Sequence, residues 1–187
     1  MTARSVHPTA LVESAMIGDG TTIWAYCHVL AGAVIGRNCN LGDHCYVEAQ
    51  ATIGDDVVLK NGVSVWSGVA IENRVFVGPN VAFTNDRAPR AKVFNSTVVP
   101  TLIREGASLG ANATILCGII VGRYAMVGAG AVVTRDVPDF GLALGNPARV
   151  VGHVCQCARR LTFLAGVASC DCGRSYRQDQ SRVEVTT

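Results

Sequence analysis

Large apolar residues recur at every sixth position along most of this chain. The series runs Leu11, Ile17, Ile23, Val29, Ile35, Leu41, Val47, Ile53, Leu59, Val65, Ile71, Val77 and Phe83, and after an interruption Ile103, Leu109, Ile115, Val121, Val127 and Val133. Six residues at about 100° each do not return a side chain to one face of a helix, so the pattern excludes an α-helical repeat. It predicts a short strand followed by a tight turn in every hexad.

A small residue usually stands two positions before each large one, as at Ala15, Thr21, Cys27, Ala33, Cys39, Cys45 and Ala51. Glycine, asparagine and aspartate are frequent between the hexads, where a corner needs positive φ values. Three hexads make one triangular coil, and stacked coils pair their strands in parallel. We therefore predict an all-β fold, a parallel β-helix of about six coils whose large and small positions point inward.

The rhythm breaks once, between Phe83 and Ile103. These residues are 20 positions apart, where whole hexads would give 18. The segment "TNDRAPRAKVFNSTVVPT" is polar and charged, and we predict that it leaves the column as an external loop near 84–101. Loops held on a rigid scaffold often carry function, although a solvated surface excursion is the alternative reading.

The repeats over residues 11–138 resemble the left-handed parallel β-helix of the hexapeptide-repeat acyltransferases, and this resemblance implies the left hand. The stretch "GPNVAFTNDRAPR" resembles a group in that family which acetylates the 3-amino group of nucleotide-linked amino sugars. The stretch "VGAGAVVTRDVPDFGLALGNPARVVG" resembles the family's coenzyme A-binding ending. The resemblance implies acetyl-CoA as cosubstrate and a homotrimer with active sites between subunits.

Within the loop, the resemblance implies that Asn85 is catalytic, accepting a hydrogen bond from the attacking amine so that its lone pair faces the thioester. Asp86 is a candidate substrate-binding residue, with a base or a corner cap as the other readings. Arg87 and Arg90 are candidate ligands of a sugar carboxylate or of the nucleotide diphosphate, because guanidinium groups match both geometries.

For the cofactor, the resemblance implies that backbone groups near Ala111 and Ala129 pair with the pantetheine amides. It also assigns the turn that contains Asn146 and Pro147 to coenzyme A, and Arg149 to a phosphate. An arginine suits a phosphate because it stays charged at any working pH, although a plain surface cation is the alternative for Arg149.

The histidines favour an amine acceptor over a hydroxyl. A sugar hydroxyl needs a base, often histidine, yet His7, His28, His44 and His153 all lie outside the loop. A sugar amine flanked by oxygens has a pKa of about 8, so a useful fraction is neutral without any protein base. The chain is therefore predicted to be an N-acetyltransferase.

The sequence does not identify a single substrate. The resemblance points first to UDP-2-acetamido-3-amino-2,3-dideoxyglucuronate, on the way to lipopolysaccharide and other surface polysaccharides, and second to a dTDP-3-amino-3,6-dideoxyhexose. Two other classes share the fold. A γ-type carbonic anhydrase needs three histidines around an open zinc site, which His28 and His44 do not provide. A non-catalytic assembly module would need neither the loop nor the coenzyme A-binding ending.

The eight cysteines fall into two groups. Cys27, Cys39 and Cys45 occupy small inward positions and are expected to be buried thiols, whereas Cys117 stands near a corner without an assigned role. The last four, Cys155, Cys157, Cys170 and Cys172, form two C-x-C pairs. They are predicted to hold a structural zinc ion, with two reduced or redox-labile pairs as the alternative.

These patterns divide the chain into a β-helix with its loop (1–138), a coenzyme A-binding ending and connector (139–154) and a cysteine-rich tail (155–187). A formal charge of +2 on 187 residues argues against a nucleic-acid partner. No apolar run reaches the roughly 18 residues that cross a bilayer, and the start lacks a signal-peptide core, so we expect no membrane insertion and a cytoplasmic location.

Overall fold

A computed structural model describes residues 3–93, 98–179 and 182–186, so the predicted loop's segment 94–97 lies outside the described residues. Every regular element in these ranges is a strand, which confirms the all-β prediction. Three sheets form the sides of the column, numbered below in chain order.

The first sheet contains β1 (Ser5–Val6), β3 (Thr22–Ile23), β6 (Asn40–Leu41), β9 (Val58–Leu59), β12 (Phe76–Val77), β15 (Ser108–Leu109), β18 (Met126–Val127), β20 (Gly141–Leu144), β21 (Arg149–Val154) and β22 (Arg160–Leu161). The second contains β2 (Leu11–Val12), β4 (His28–Val29), β7 (Tyr46–Val47), β10 (Ser64–Val65), β13 (Ala82–Phe83), β16 (Thr114–Ile115) and β19 (Val132–Val133). The third contains β5 (Val34–Ile35), β8 (Thr52–Ile53), β11 (Val69–Ile71), β14 (Thr101–Ile103) and β17 (Ile120–Val121).

Parallel pairing holds the coils at a constant offset. Thr22 pairs with Asn40 and Asn40 with Val58, a separation of 18 residues, or three hexads. The second residue of each of these strands is buried, as is the residue two positions before it, so both predicted inward ladders fill the core. This is the parallel β-helix that the repeat predicts, with the left hand that the family resemblance implies. Cys27, Cys39 and Cys45 are buried as expected, and desolvation raises the pKa of the Cys39 thiol.

The interruption adds residues to one coil without breaking the stack. Val69 pairs with Thr101, 32 residues away, whereas Leu102 pairs with Ile120 at the usual 18. The fifth coil therefore carries 14 more residues than its neighbours. They leave the column between β13 and β14, as the register break predicts.

The first coil departs from the predicted register. Val12, not Leu11, pairs with Val29, and Leu11 is 55% exposed. Ser14 is the buried small residue here, with Oγ donating to the carbonyl of Ala33 at 2.6 Å, while the predicted inward residue Ala15 is exposed. On two sides of this coil the paired strands are one residue closer in sequence than the usual 18. A strict count of six therefore misplaces Leu11 and Ala15.

After the column, the chain reverses. β20 and β21 pair antiparallel across the turn at 145–148, and β22 extends the same sheet. A separate antiparallel sheet follows, made of β23 (Val167–Ser169), β24 (Ser175–Asp179) and β25 (Arg182–Val185). Together these elements bury a second, small core, formed by Phe140, Cys155, Leu161, Ala168, Tyr176 and Val183. Among the described residues no helix could span a membrane.

Candidate functional site

The neck of the loop is fastened to the corner that follows the second sheet. The carbonyl of Asn85 accepts from the amide of Val99 at 3.4 Å, which joins the outgoing and returning strands of the loop. Thr84 Oγ1 accepts from the amide of Cys117 at 2.9 Å, one coil further along. Below them, Trp66 Nε1 donates to the carbonyl of Phe83 at 2.9 Å. The loop is thus held at its base by the rigid column.

A cavity of about 570 Å³ lies between the loop and the column. Its walls are formed by Thr84, Asp86, Arg87, Pro89, Leu116, Cys117, Ile119 and Thr134. Pro89 from the loop and Leu116 and Ile119 from the column contribute apolar surface, while Asp86 and Arg87 bring opposite charges from the loop. The volume lies within the roughly 300 to 1,000 Å³ of typical ligand pockets.

The loop residues predicted from sequence take different places. Asn85 is half-buried at the neck, and Asp86 Oδ1 accepts from the amide of Ala88 at 2.8 Å, which is the geometry of a turn cap. The guanidinium of Arg87 lies where a Cβ at Gly118 would project, so it faces the column. Arg90 is exposed, donates to the carbonyl of Pro89 and does not line the cavity.

Sequence reasoning missed four cavity residues on later coils, Leu116, Cys117, Ile119 and Thr134. Cys117 is only 3% exposed and Thr134 is half-buried, and both line the cavity from later coils. The signal is present in the register. Cys117 follows Asn85 by 32 residues, the same offset that separates paired strands across the interruption, so the two lie on neighbouring coils at one corner.

Corner amides of the column are capped by side chains from neighbouring coils. The corner residue is the second one after each inward aliphatic residue. Asp55 Oδ1 accepts from the amide of Arg37 at 2.7 Å, and Asn73 Oδ1 accepts from that of Asp55 at 2.8 Å, so one cap comes from the following coil. Glu48 Oε2 accepts from the amide of Ser67 at 2.7 Å, so another comes from the preceding coil.

At Ala111 and Ala129, both capping positions lack a side-chain acceptor. For Ala111 they are Gly78 and Ala129, and for Ala129 they are Gly110 and Gly145. Ala111 is half-buried and Ala129 is exposed, on consecutive coils of one corner. The two positions predicted to present amides to a cofactor are therefore ones where the column supplies no cap of its own.

The Gly-Asn-Pro-Ala-Arg turn closes the end of the second sheet. Val132 donates its amide to the carbonyl of Gly145 at 3.0 Å, and Ala148 donates to that of Val132 at 2.8 Å. Asn146, Pro147 and Arg149 are exposed, and the Asn146–Pro147 peptide bond is cis. Arg149 lines a cavity of about 190 Å³ together with Arg135, a second cation that lies outside the Gly-Asn-Pro-Ala-Arg turn.

Two exposed side chains of the early coils, His44 and Trp24, lie away from the loop. His44 is exposed at a corner with φ of 60° and stacks on Tyr26 at 5.0 Å between ring centroids. Trp24 follows the inward residue Ile23, is 48% exposed, and donates its Nε1 to Asn40 Oδ1. Both belong to coils well before the loop.

The structure brings the four tail cysteines together. The Sγ atoms of Cys155, Cys157, Cys170 and Cys172 all lie within 4.8 Å of one another. Cys155 is buried against the small core, whereas Cys157 and Cys172 are exposed.

Comparison with known proteins places this architecture among named families. The family described as "Bacterial transferase hexapeptide (six repeats)" matches residues 14–49 and 100–135, and "Hexapeptide repeat of succinyl-transferase" matches residues 32–67. The chain is 54% identical over 172 residues to dTDP-3-amino-3,6-dideoxy-alpha-D-galactopyranose 3-N-acetyltransferase of Aneurinibacillus thermoaerophilus, a match that covers 92% of this chain and 90% of the relative. A serine acetyltransferase of Haemophilus influenzae is 36% identical over 96 residues, covering 51% of this chain and 29% of the relative.

Among solved structures, the acetyltransferase domain of PglB from Neisseria gonorrhoeae FA1090, in complex with acetyl coenzyme A, superimposes with a TM-score of 0.58. It is 23% identical, and the match covers 79% of this chain and 57% of that one. This likeness confirms the fold.

Proposed function

Because this chain belongs to the bacterial hexapeptide-repeat transferases, we propose that it acetylates the 3-amino group of a dTDP-linked 3-amino-3,6-dideoxyhexose. The chain is an acetyl-CoA-dependent N-acetyltransferase. The substrate proposal rests on one observation, the 54% identity along nearly the full length of both chains to an enzyme named for such a sugar. This favours the second of the two substrates considered from sequence over the UDP-linked uronate.

The walls of the loop cavity are consistent with that choice. A 6-deoxy sugar ends in a methyl group, which Pro89, Leu116 and Ile119 can contact without burying a charge. A uronate would place a carboxylate beside the same apolar side chains and Asp86, and it would compete with the diphosphate for Arg87, the cation that lines this cavity. In the proposed complex Arg87 binds the diphosphate of the nucleotide.

The proposed chemistry needs no protein base. The neutral 3-amino nitrogen attacks the thioester carbonyl, the tetrahedral intermediate collapses, and the carbon–sulfur bond breaks to give the amide and coenzyme A thiolate. That thiolate, with a pKa of about 8.5, accepts the proton which the nitrogen loses. Asn85 accepts a hydrogen bond from the amine and orients its lone pair, so the acceleration comes mainly from positioning. Asp86 stabilises the turn, consistent with its bond to Ala88.

Acetyl-CoA is proposed to lie along the column, with its pantetheine amides on Ala111 and Ala129. Asn146 and Pro147 shape the turn at the far end, and Arg149 binds a phosphate. We further propose a homotrimer in which a neighbouring subunit completes each site, and a product used in surface polysaccharides; both follow from the family resemblance.

Capping the Ala111 amide should weaken acetyl-CoA. In Ala129→Asn, the new side-chain oxygen can accept from the backbone amide of Ala111, as Asn73 Oδ1 accepts from that of Asp55. It therefore competes with the cofactor for this amide. We expect KM for acetyl-CoA to rise about tenfold, since one or two hydrogen bonds of about 1 kcal/mol are lost, while kcat stays within about twofold. Initial rates at varied acetyl-CoA measure this. Ala31→Asn, the same substitution at an exposed corner of an early coil, is the control; an equal rise there would contradict the assignment.

The proposed function is tested by the loss of thioester absorbance from acetyl-CoA. The purified chain is offered dTDP-3-amino-3,6-dideoxygalactose, the same nucleotide sugar with a 3-hydroxyl, and the UDP-3-amino uronate. We expect rapid turnover of the first alone. Turnover of the uronate alone would overturn the substrate but keep the reaction, and no turnover of either amine would overturn both.

A further inference from the structure

The tail cysteines are spaced as ligands of one metal ion. Cys155 Sγ lies 3.4 Å from Cys172 Sγ, and Cys157 Sγ lies 3.5 Å from Cys170 Sγ. Thiolates at about 2.3 Å from a tetrahedral zinc ion are about 3.8 Å apart, and all four Sγ atoms lie within 4.8 Å. Each pair joins one cysteine from each C-x-C motif, so an ion between them would connect both ends of the tail.

The two motifs adopt the same backbone turn, which a chance cluster of thiols would not require. In each, the amide of the first cysteine donates to the carbonyl of the arginine four residues later. The amide of the residue after the second cysteine donates back to the first cysteine's carbonyl, with a positive φ. These residues are Cys155, Ala158 (φ 71°) and Arg159 in the first turn and Cys170, Gly173 (φ 91°) and Arg174 in the second. The sequence is thus a repeated C-x-C-[AG]-R motif.

Residues around the four thiols donate hydrogen bonds to sulfur and supply positive charge. Tyr176, fully buried, donates its hydroxyl to Cys155 Sγ at 3.0 Å and accepts from the amide of Gln156. Arg174 Nη1 lies 3.4 Å from Cys172 Sγ. One divalent ion with four thiolates carries a net charge of −2, which such outer contacts offset.

A salt bridge also joins the two turns, because Arg159 of the first binds Asp171 of the second at 2.9 Å.

We propose that Cys155, Cys157, Cys170 and Cys172 bind one Zn²⁺ ion with a structural role. A tetrahedral set of four thiolates selects zinc or iron, and between single divalent ions zinc binds such sites more strongly than iron. Four protein ligands leave no open coordination position, so the ion does no chemistry.

The ion holds the tail onto the column where the small core alone is insufficient. Phe140, just after the last coil, stacks on Tyr124 of the column and packs edge-on against Tyr176 of the tail. With six buried residues in the described part of the tail and its connector, this core is far smaller than that of a stable independent domain. Strand β21 runs from Arg149 directly to the residue before Cys155, so the zinc site also fixes the strand that carries the proposed phosphate ligand.

Metal analysis of the full chain, purified without chelators, is the direct test. We expect one zinc per chain, and after acid removal and refilling with Co²⁺ under reducing conditions, the visible and near-ultraviolet bands of tetrahedral cobalt thiolate. Substoichiometric metal with no uptake of Zn²⁺ or Co²⁺, iron in place of zinc, or two disulfides by mass spectrometry would each overturn the proposal.

Variants separate these thiols from the others. Cys157→Ser/Cys170→Ser, which changes one ligand in each turn, should lose zinc and melt at least about 5 °C lower. Cys39→Ala, at an inward position where other coils have alanine, should keep one zinc per chain. Full zinc in the double variant would contradict the site. If that variant does not fold, chelation of the wild-type chain, followed by a fall in melting temperature that Zn²⁺ reverses, tests the same structural role; an unchanged melting temperature would overturn it.

Discussion

Replacing Asn85 by alanine is expected to lower kcat about a hundredfold. The residue sits at the neck of the loop, half-buried, where the bond from Val99 fixes its backbone and Trp66 fixes the residue two before it. Its side-chain amide is thus held on the rigid part of the loop. A misplacement of about 1 Å of a reacting group can cost about a hundredfold, or roughly 2.7 kcal/mol of barrier.

The measurement is kcat with the dTDP-linked amine at saturating acetyl-CoA. The expected melting temperature is within a few degrees of wild type, because no core residue changes. Asn40→Ala, which removes an exposed amide bonded to Trp24 in an early coil, serves as the control and should keep full turnover. Wild-type kcat in the Asn85 variant would remove this residue from the proposed chemistry.

The column could be predicted almost completely from sequence because its period is short and its core is one ladder. Each hexad repeats the same inward pair, so Leu41 and Val127 follow from the same rule. The rule fails in the first coil, at Leu11 and Ala15, where a coil one residue shorter buries Ser14 and packs the half-buried Val12 against the core. Local turn geometry, which the apolar period does not encode, decides such a shift.

The candidate site was predictable only in part. The break in the period located the loop, and resemblance to the family named Asn85 and Arg87. Cys117 and Thr134 were missed because their position beside the loop depends on how many residues the loop inserts. A count of hexads does not determine that number, since adding six residues leaves the hexad register unchanged. The repeated C-x-C motif predicted that the tail thiols converge, but not that Tyr176 would join them to the column through Phe140.

Arg87→Ala is expected to raise KM for the nucleotide sugar about 10- to 100-fold, whereas Arg90→Ala should leave it unchanged. Arg87 lines the cavity and Arg90, only three positions later, does not. Losing a charge-assisted hydrogen bond to a diphosphate costs about 1.5 to 3 kcal/mol. Initial rates at varied nucleotide sugar test this, and inhibition by dTDP alone should weaken by the same factor if the diphosphate is the partner. Equal effects of both variants would contradict the assignment.

A second pair of variants tests the position of the Arg87 guanidinium without deleting it. In Gly118→Ala the new Cβ occupies the space that the end of the Arg87 side chain now fills, so this flexible chain must shift. Gly118 also has a φ of 80°, which strains any other residue. Gly130→Ala measures this backbone strain alone, because Gly130 has a φ of 67° and open space beside it. Both variants should lose about 1 kcal/mol of stability in denaturant unfolding. Only Gly118→Ala should raise KM for the nucleotide sugar, and a matching rise in Gly130→Ala would mean that backbone strain, not the position of Arg87, controls binding.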